Sequence, residues 1–186
     1  MEATLPKRAD AVRNRERVVA AAAEVFAERG IEAGVPEIAA RAGVGKATVY
    51  RSFPTKEHLI GAVVVEKLTD LERRARARFD HPDPWQALVE LVDDDAARQC
   101  VDRSLVSALH TGVAAELLAP ARASMWDAIS RLMDRAKAQG TMREDVSAAD
   151  LRVLWIGVAR VLTADGVEDP AVWRRYCRLA LGALRA

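Results

Sequence analysis

The chain has 186 residues, 51% of them hydrophobic and 30% charged, a composition that excludes a disordered chain and leaves room for one or two small domains. Twenty-eight Lys and Arg against 27 Asp and Glu give a net charge of +1, which excludes binding to polyanions through overall charge alone. Charge is distributed instead: 10 basic and 8 acidic residues up to residue 60, then 18 and 19 after it, so the N-terminal part is the anion-facing one.

Helical periodicity runs through almost every long segment, and the alternating runs of strands are missing, so the chain reads as all-α with about nine helices. The first is expected from Ala11 to Arg29, with Val18, Ala22, Val25 and Phe26 on one face and Gly30 as its stop. The basic residues Lys7, Arg8 and Arg13 around its start read as a solvated tail, with an anion-contacting arm as the alternative. Two short helices follow, Pro36 to Ala42 and Gly45 to Ser52, and then a long one from its N-cap Thr55 toward Arg78. Asp83-Pro84 and Asp169-Pro170 each place a capping carboxylate before a proline, and Ser147 with Asp150 forms a capping-box pattern. With breaks at Pro120, Gly140 and Gly166, these signals predict helices near 84–98, 103–118, 121–139, 148–164 and 170–185.

Cys100 and Cys177 stand outside any CxxC or Cys/His cluster, so no metal site is expected, and their number fits a reducing compartment. Neither a signal peptide nor a membrane span is legible, which predicts a soluble, cytoplasmic protein. The run Asp93-Asp94-Asp95 cannot converge on one ion from consecutive helical positions and reads as a solvated face. His58, His81 and His110 are the only histidines, and no nucleophile motif or Gly-rich phosphate loop accompanies them. No catalytic residues or cofactor are therefore expected.

Two short helices joined by a glycine-containing turn are the skeleton of a helix-turn-helix, whose second helix enters the major groove. Ile38, Ala39, Val44, Val49 and Phe53 can close a small core with Val25, Phe26 and Ile31, leaving Lys46, Thr48, Tyr50 and Arg51 outward. Lysine and arginine neutralise phosphate, arginine also binds a guanine edge, and threonine and tyrosine offer hydroxyls and an apolar face. RERVVAAAAEVFAERG followed by PEIAARAGVGKATVYRSFPTKEHL resembles the DNA-binding domain of the tetracycline-repressor (TetR) family of bacterial regulators, over about Arg13 to Val65. The resemblance implies that Lys46, Ala47, Thr48, Tyr50, Arg51 and Ser52 face DNA, and that Lys56 grips a phosphate at the start of the next helix. Gly34, Gly45 and Ser52 depart from the family pattern, each putting one backbone contact in doubt.

By the same resemblance, 1–54 forms the DNA reader and 55–186 an effector-binding and dimerising domain, with 55–80 as the connecting helix. Apolar stripes suggest a dimer seam of Leu151, Leu154, Trp155, Val158, Val161 and Leu162 on one helix and Trp173, Tyr176, Cys177, Ala180, Leu181 and Leu184 on the next. Gly157 and Gly182 would allow close helix approach. Packing within one subunit is the alternative for either stripe. The expected ligand pocket comprises Trp85, Leu88, Leu105, Leu109, His110, Met125, Trp126, Ile129 and Met133, all equally suited to plain core. The function implied is a homodimeric repressor that binds a palindromic double-stranded DNA operator and is released by an apolar small molecule. The competing reading is a helical ligand-carrier or interaction protein with a vestigial helix-turn-helix.

Overall fold

The computed structural model describes residues 5–102 and 115–186, with side chains from Ala9 onward. Eight helices make up most of it: α1 Leu5–Arg29, α2 Val35–Ala42, α3 Lys46–Ser52, α4 Lys56–Arg76, α5 Pro84–Val101, α6 Ala115–Ala138, α7 Ala148–Ala164 and α8 Pro170–Gly182. Among the described residues there is no strand, only an isolated bridge between Met142 and Arg185. The helix expected near 103–118 falls largely outside the described residues.

The punctuation signals act as their chemistry requires. Asp83 accepts from the Gln86 amide and Asp169 from the Ala171 amide, each one residue before a helix-opening proline. Ser147 and Asp150 form both bonds of a capping box, and the Ser147 hydroxyl holds the Asp150 carboxyl below its ordinary range. Two expectations need correction. First, α1 starts at Leu5, so the basic segment extends the helix instead of trailing as a tail, and Arg13 pairs with Asp10 one turn away. Second, α6 runs straight through Pro120. Proline supplies no N–H, and the carbonyl left without that partner belongs to exposed Glu116, which water can reach.

The N-terminal helices pack around Val25, Phe26, Ile38, Val49 and Phe53, all no more than 2% exposed. Ile31 and Ala39 are also buried, while Val44 is half-buried against them. In the rest of the chain α4 lies along α6, and α8 packs chiefly on α5. Trp173 and Met133 are among the largest fully buried side chains of this part. The C-terminal residues are tied back to the α6–α7 loop: the Arg143 amide donates to Leu184 and the Ala186 amide to Thr141, at 3.0 and 3.2 Å.

Candidate nucleic-acid interface and ligand cavity

The turn between α2 and α3 depends on one glycine. Gly43 has φ +63°, where L side chains are strained, and its amide caps α2 on the carbonyls of Ala39 and Ala40. Arg17 reaches across from α1 and donates to the Ala42 carbonyl at 2.5 Å. A Cβ on Gly43 would sit 2.9 Å from that guanidinium, whereas one on Gly30, also at positive φ, would meet nothing within 4 Å. Gly43→Ala is therefore expected to destabilise the chain by about 1–2 kcal/mol from backbone strain, and by more than Gly30→Ala, because it also displaces Arg17. Urea denaturation of both variants checks the order, and equal losses would refute the role given to Arg17.

Held by this turn, α3 buries Val49 and turns Lys46, Ala47, Tyr50 and Arg51 outward. These four positions are spaced as two i, i+4 pairs and share one face. Tyr50 is 42% exposed with the Lys46 ammonium 5.9 Å from its ring centre, and Arg51 donates to the half-buried Thr48 hydroxyl at 3.3 Å. Neither Lys46 nor Arg51 has a carboxylate partner among the described residues. By contrast, Arg41 of α2 is neutralised by Glu24 and Glu28, and its hydrogen bond holds the Glu28 carboxyl low. Positive charge thus survives on the α3 face, with Arg15 of α1 at its flank.

The flank is built by side chains that sequence reasoning missed. Arg15 of α1 stacks its guanidinium 4.2 Å over the Phe53 ring and donates to the Ser52 carbonyl at 3.1 Å, fixing the C-terminus of α3. Thr55 caps α4 by accepting from the His58 amide. Lys56 opens that helix half-buried, its ammonium 4.0 Å from exposed Glu32. The structure therefore brings Lys46, Ala47, Thr48, Tyr50, Arg51, Ser52 and Lys56 to one end of the molecule. Gly34 and Gly45 cap α2 and α3 without any side-chain bond.

A cavity of about 290 Å³ opens between α4, α5, α6 and α7. Its walls are Leu68 and Leu71 of α4, Met125, Trp126 and Ile129 of α6, and Trp155, Ile156 and Ala159 of α7. Trp126 and Trp155 meet edge to face at 6.4 Å. Asp95 and Gln99 of α5, with Arg122, Arg152 and Arg160, add the polar groups. A larger space of about 580 Å³ beside α4 and α5 is lined mainly by charged side chains, several already ion-paired, including Asp70, Arg74, Lys67 and Asp102. Apolar walls with a few polar groups are what a small organic ligand needs, so the smaller cavity is the candidate.

Of the residues expected in a pocket, Met125, Trp126 and Ile129 line this cavity. Trp85, Leu88 and Met133 do not: they are buried in packed core, Trp85 with Arg185 over its ring. Leu105, Leu109 and His110 lie outside the described residues. The cavity also takes Trp155, assigned from sequence to a dimer seam, together with Asp95, Gln99 and the three arginines, which the apolar pattern did not select.

Four of the six stripe residues expected on the last helix face inward. Trp173, Cys177, Leu181 and Leu184 are at most 3% exposed within a single chain, and burial raises the Cys177 thiol to about 12. Leu151, Trp155 and Leu162 of α7 are likewise enclosed. These side chains are core and leave no surface for a partner. The apolar surface that remains on these helices is Val153, Val161, Tyr176 and Leu179, from 42% to 65% exposed, beside half-buried Leu154, Val158 and Ala180.

Comparison with known proteins agrees with this architecture at both ends. Residues 18–63 match the family model described as bacterial regulatory proteins of the tetR family, and residues 83–186 that of the SbtR-like transcriptional regulator C-terminal domain. A TetR transcription regulatory protein of Mycobacterium vanbaalenii is 34% identical, covering 97% of this chain and 100% of its own, with a TM-score of 0.66. A TetR regulator of Streptomyces coelicolor is 31% identical over 92% of this chain and 98% of that one, also with a TM-score of 0.66. The HTH-type transcriptional repressor BepR of Brucella suis is 33% identical over 88 residues, 46% of this chain and 42% of its own length. With the helix-turn-helix, the exposed cationic face and the helical body in place, the chain belongs to the TetR family of DNA-binding transcriptional regulators.

Proposed function

We propose that the chain works as a homodimeric repressor. Residues 1–54 read one half of a palindromic operator, and residues 55–186 join the two copies and hold an effector. The observation that carries the reading is the α3 face, where Lys46, Tyr50 and Arg51 stand exposed with no acid among the described residues to neutralise them. One such helix reads only a few base pairs, so two copies spaced about 34–36 Å apart are needed for a full operator. The outer faces of α7 and α8 supply a joining surface, with Val153, Val161, Tyr176 and Leu179 at its centre. An effector in the cavity touches α4, the helix that begins at the DNA end, and so can bias the spacing of the two readers.

The test is selection of bound duplexes from a random pool at stated salt, with wild type beside Arg51→Ala. Wild type is expected to enrich a palindrome, and Arg51→Ala to lose or relax one position of each half-site at a cost of about 1–3 kcal/mol. Lys56→Ala is expected to weaken all sequences alike and to lower the salt dependence by about one phosphate contact per protomer. Unchanged enrichment in Arg51→Ala would refute the residue assignment. A helical carrier with a vestigial reader is favoured by the uncapped starts of α2 and α3 at Gly34 and Gly45, and absence of any enrichment at low salt would support it.

A further inference from the structure

We propose that the cavity between α4, α5, α6 and α7 takes an amphipathic organic acid, its apolar body against Trp126 and Trp155 and its anionic head held by Arg122, Arg152 and Arg160. The inference deepens the effector-controlled reading and rests on it. Three guanidiniums line a space whose other walls are largely apolar, and none of the three has a carboxylate within reach among the described residues. Four other arginines of the same body are neutralised: Arg74 and Arg98 by Asp70, Arg76 by Glu72, and Arg178 by Asp93. The one carboxylate in the lining, Asp95, is already engaged by Arg74 and by the Gln99 amide. A cationic ligand would find no free acid there, whereas an anion finds three free fork-shaped donors.

A second observation comes from the opposite chemistry. Gln99 is only 9% exposed, and with its amide N–H given to Asp95 its Oε1 is buried without a partner. Buried acceptors are normally satisfied, and Gln99 lines this cavity, so a hydroxyl or N–H on the ligand body has a place to donate. At about 290 Å³ the space suits a small amphiphile.

Calorimetry and tryptophan fluorescence on the full-length protein provide the test, with two acid and neutral pairs as probes: sodium decanoate with decan-1-ol, and 2-naphthoate with 2-naphthol. At least one acid is expected to bind tenfold or more tightly than its neutral partner and to perturb the fluorescence; which one does so separates an aliphatic from an aromatic body. Arg122→Gln and the double variant Arg152→Gln/Arg160→Gln are expected to erase the preference while leaving affinity for the neutral probe unchanged. 6-Hydroxy-2-naphthoate is expected to gain several-fold over 2-naphthoate in wild type but not in Gln99→Leu. Equal affinity for acid and neutral probes, or a preference that survives the arginine variants, overturns the proposal. So does loss of the dimer in Arg152→Gln/Arg160→Gln by sedimentation, which would assign those arginines to a partner's carboxylates. Duplex enrichment by the same preparation is scored separately, so a failed ligand test leaves the repressor reading intact.

Discussion

Trp173→Ala is expected to destabilise the folded chain by about 3–5 kcal/mol, a large share of the ~5–15 kcal/mol that holds a typical domain together. The indole is fully enclosed where α8 meets α5, and its Nε1 donates to the Val167 carbonyl at 2.9 Å. Truncation removes both the packed ring and that bond, and the surrounding helices cannot close over a void of this size. For a chain of this length each kcal/mol shifts the melting temperature by about 2–4 °C, so calorimetry resolves the effect easily. Trp173→Phe keeps most of the volume and is expected to lose much less. If Trp173→Ala melted within a few degrees of wild type, the inner face of α8 would not be part of the core.

Arg74→Met is expected to cost a comparable ~3–5 kcal/mol, for an electrostatic reason. Arg74 of α4 donates to Asp70 at 3.0 Å and to buried Asp95 of α5 at 3.2 Å. Burial alone pushes the Asp95 carboxyl above its ordinary range, and the Arg74 charge opposes that push. Without Arg74 the carboxylate keeps its desolvation penalty and loses its compensation. The sign of the pH dependence follows: a folded-state pKa above the unfolded one favours the native state below it and costs stability as pH rises through it. The deficit of Arg74→Met relative to wild type should therefore be largest at neutral pH and shrink as the solution is acidified and Asp95 takes up a proton. Arg74→Met combined with Asp95→Leu removes both charges and is expected to recover most of the loss. A pH-independent deficit, or no recovery in the double variant, would refute the account.

Local punctuation made most of the fold legible in the sequence. The caps at Thr55, Asp83, Ser147 and Asp169 act through bonds two or three residues away, so their pattern is visible in any short window. The reader was legible for the same reason, since the positions that bury Val49 and expose Lys46 and Arg51 lie within one short helix. Long-range partners were not. Arg15 on Phe53 and Arg17 on the α2–α3 turn each span more than twenty residues of sequence. On α8, spacing shows that Trp173, Cys177 and Leu181 share a face, but not whether α5 or a second subunit covers it. The cavity suffers likewise: Asp95 reads as one of three solvated acids until Arg74 and Gln99 are placed beside it.

The two faces of α8 stand in different surroundings. Trp173, Cys177 and Leu181 are committed to the interior, while Tyr176 and Leu179 stand largely outside it. If copies join through this outer face as proposed, Tyr176 and Leu179 can change until one copy no longer recognises another, with little loss of folding. Under the proposed pairing, a helix so divided lets the joining surface change while the fold stays the same.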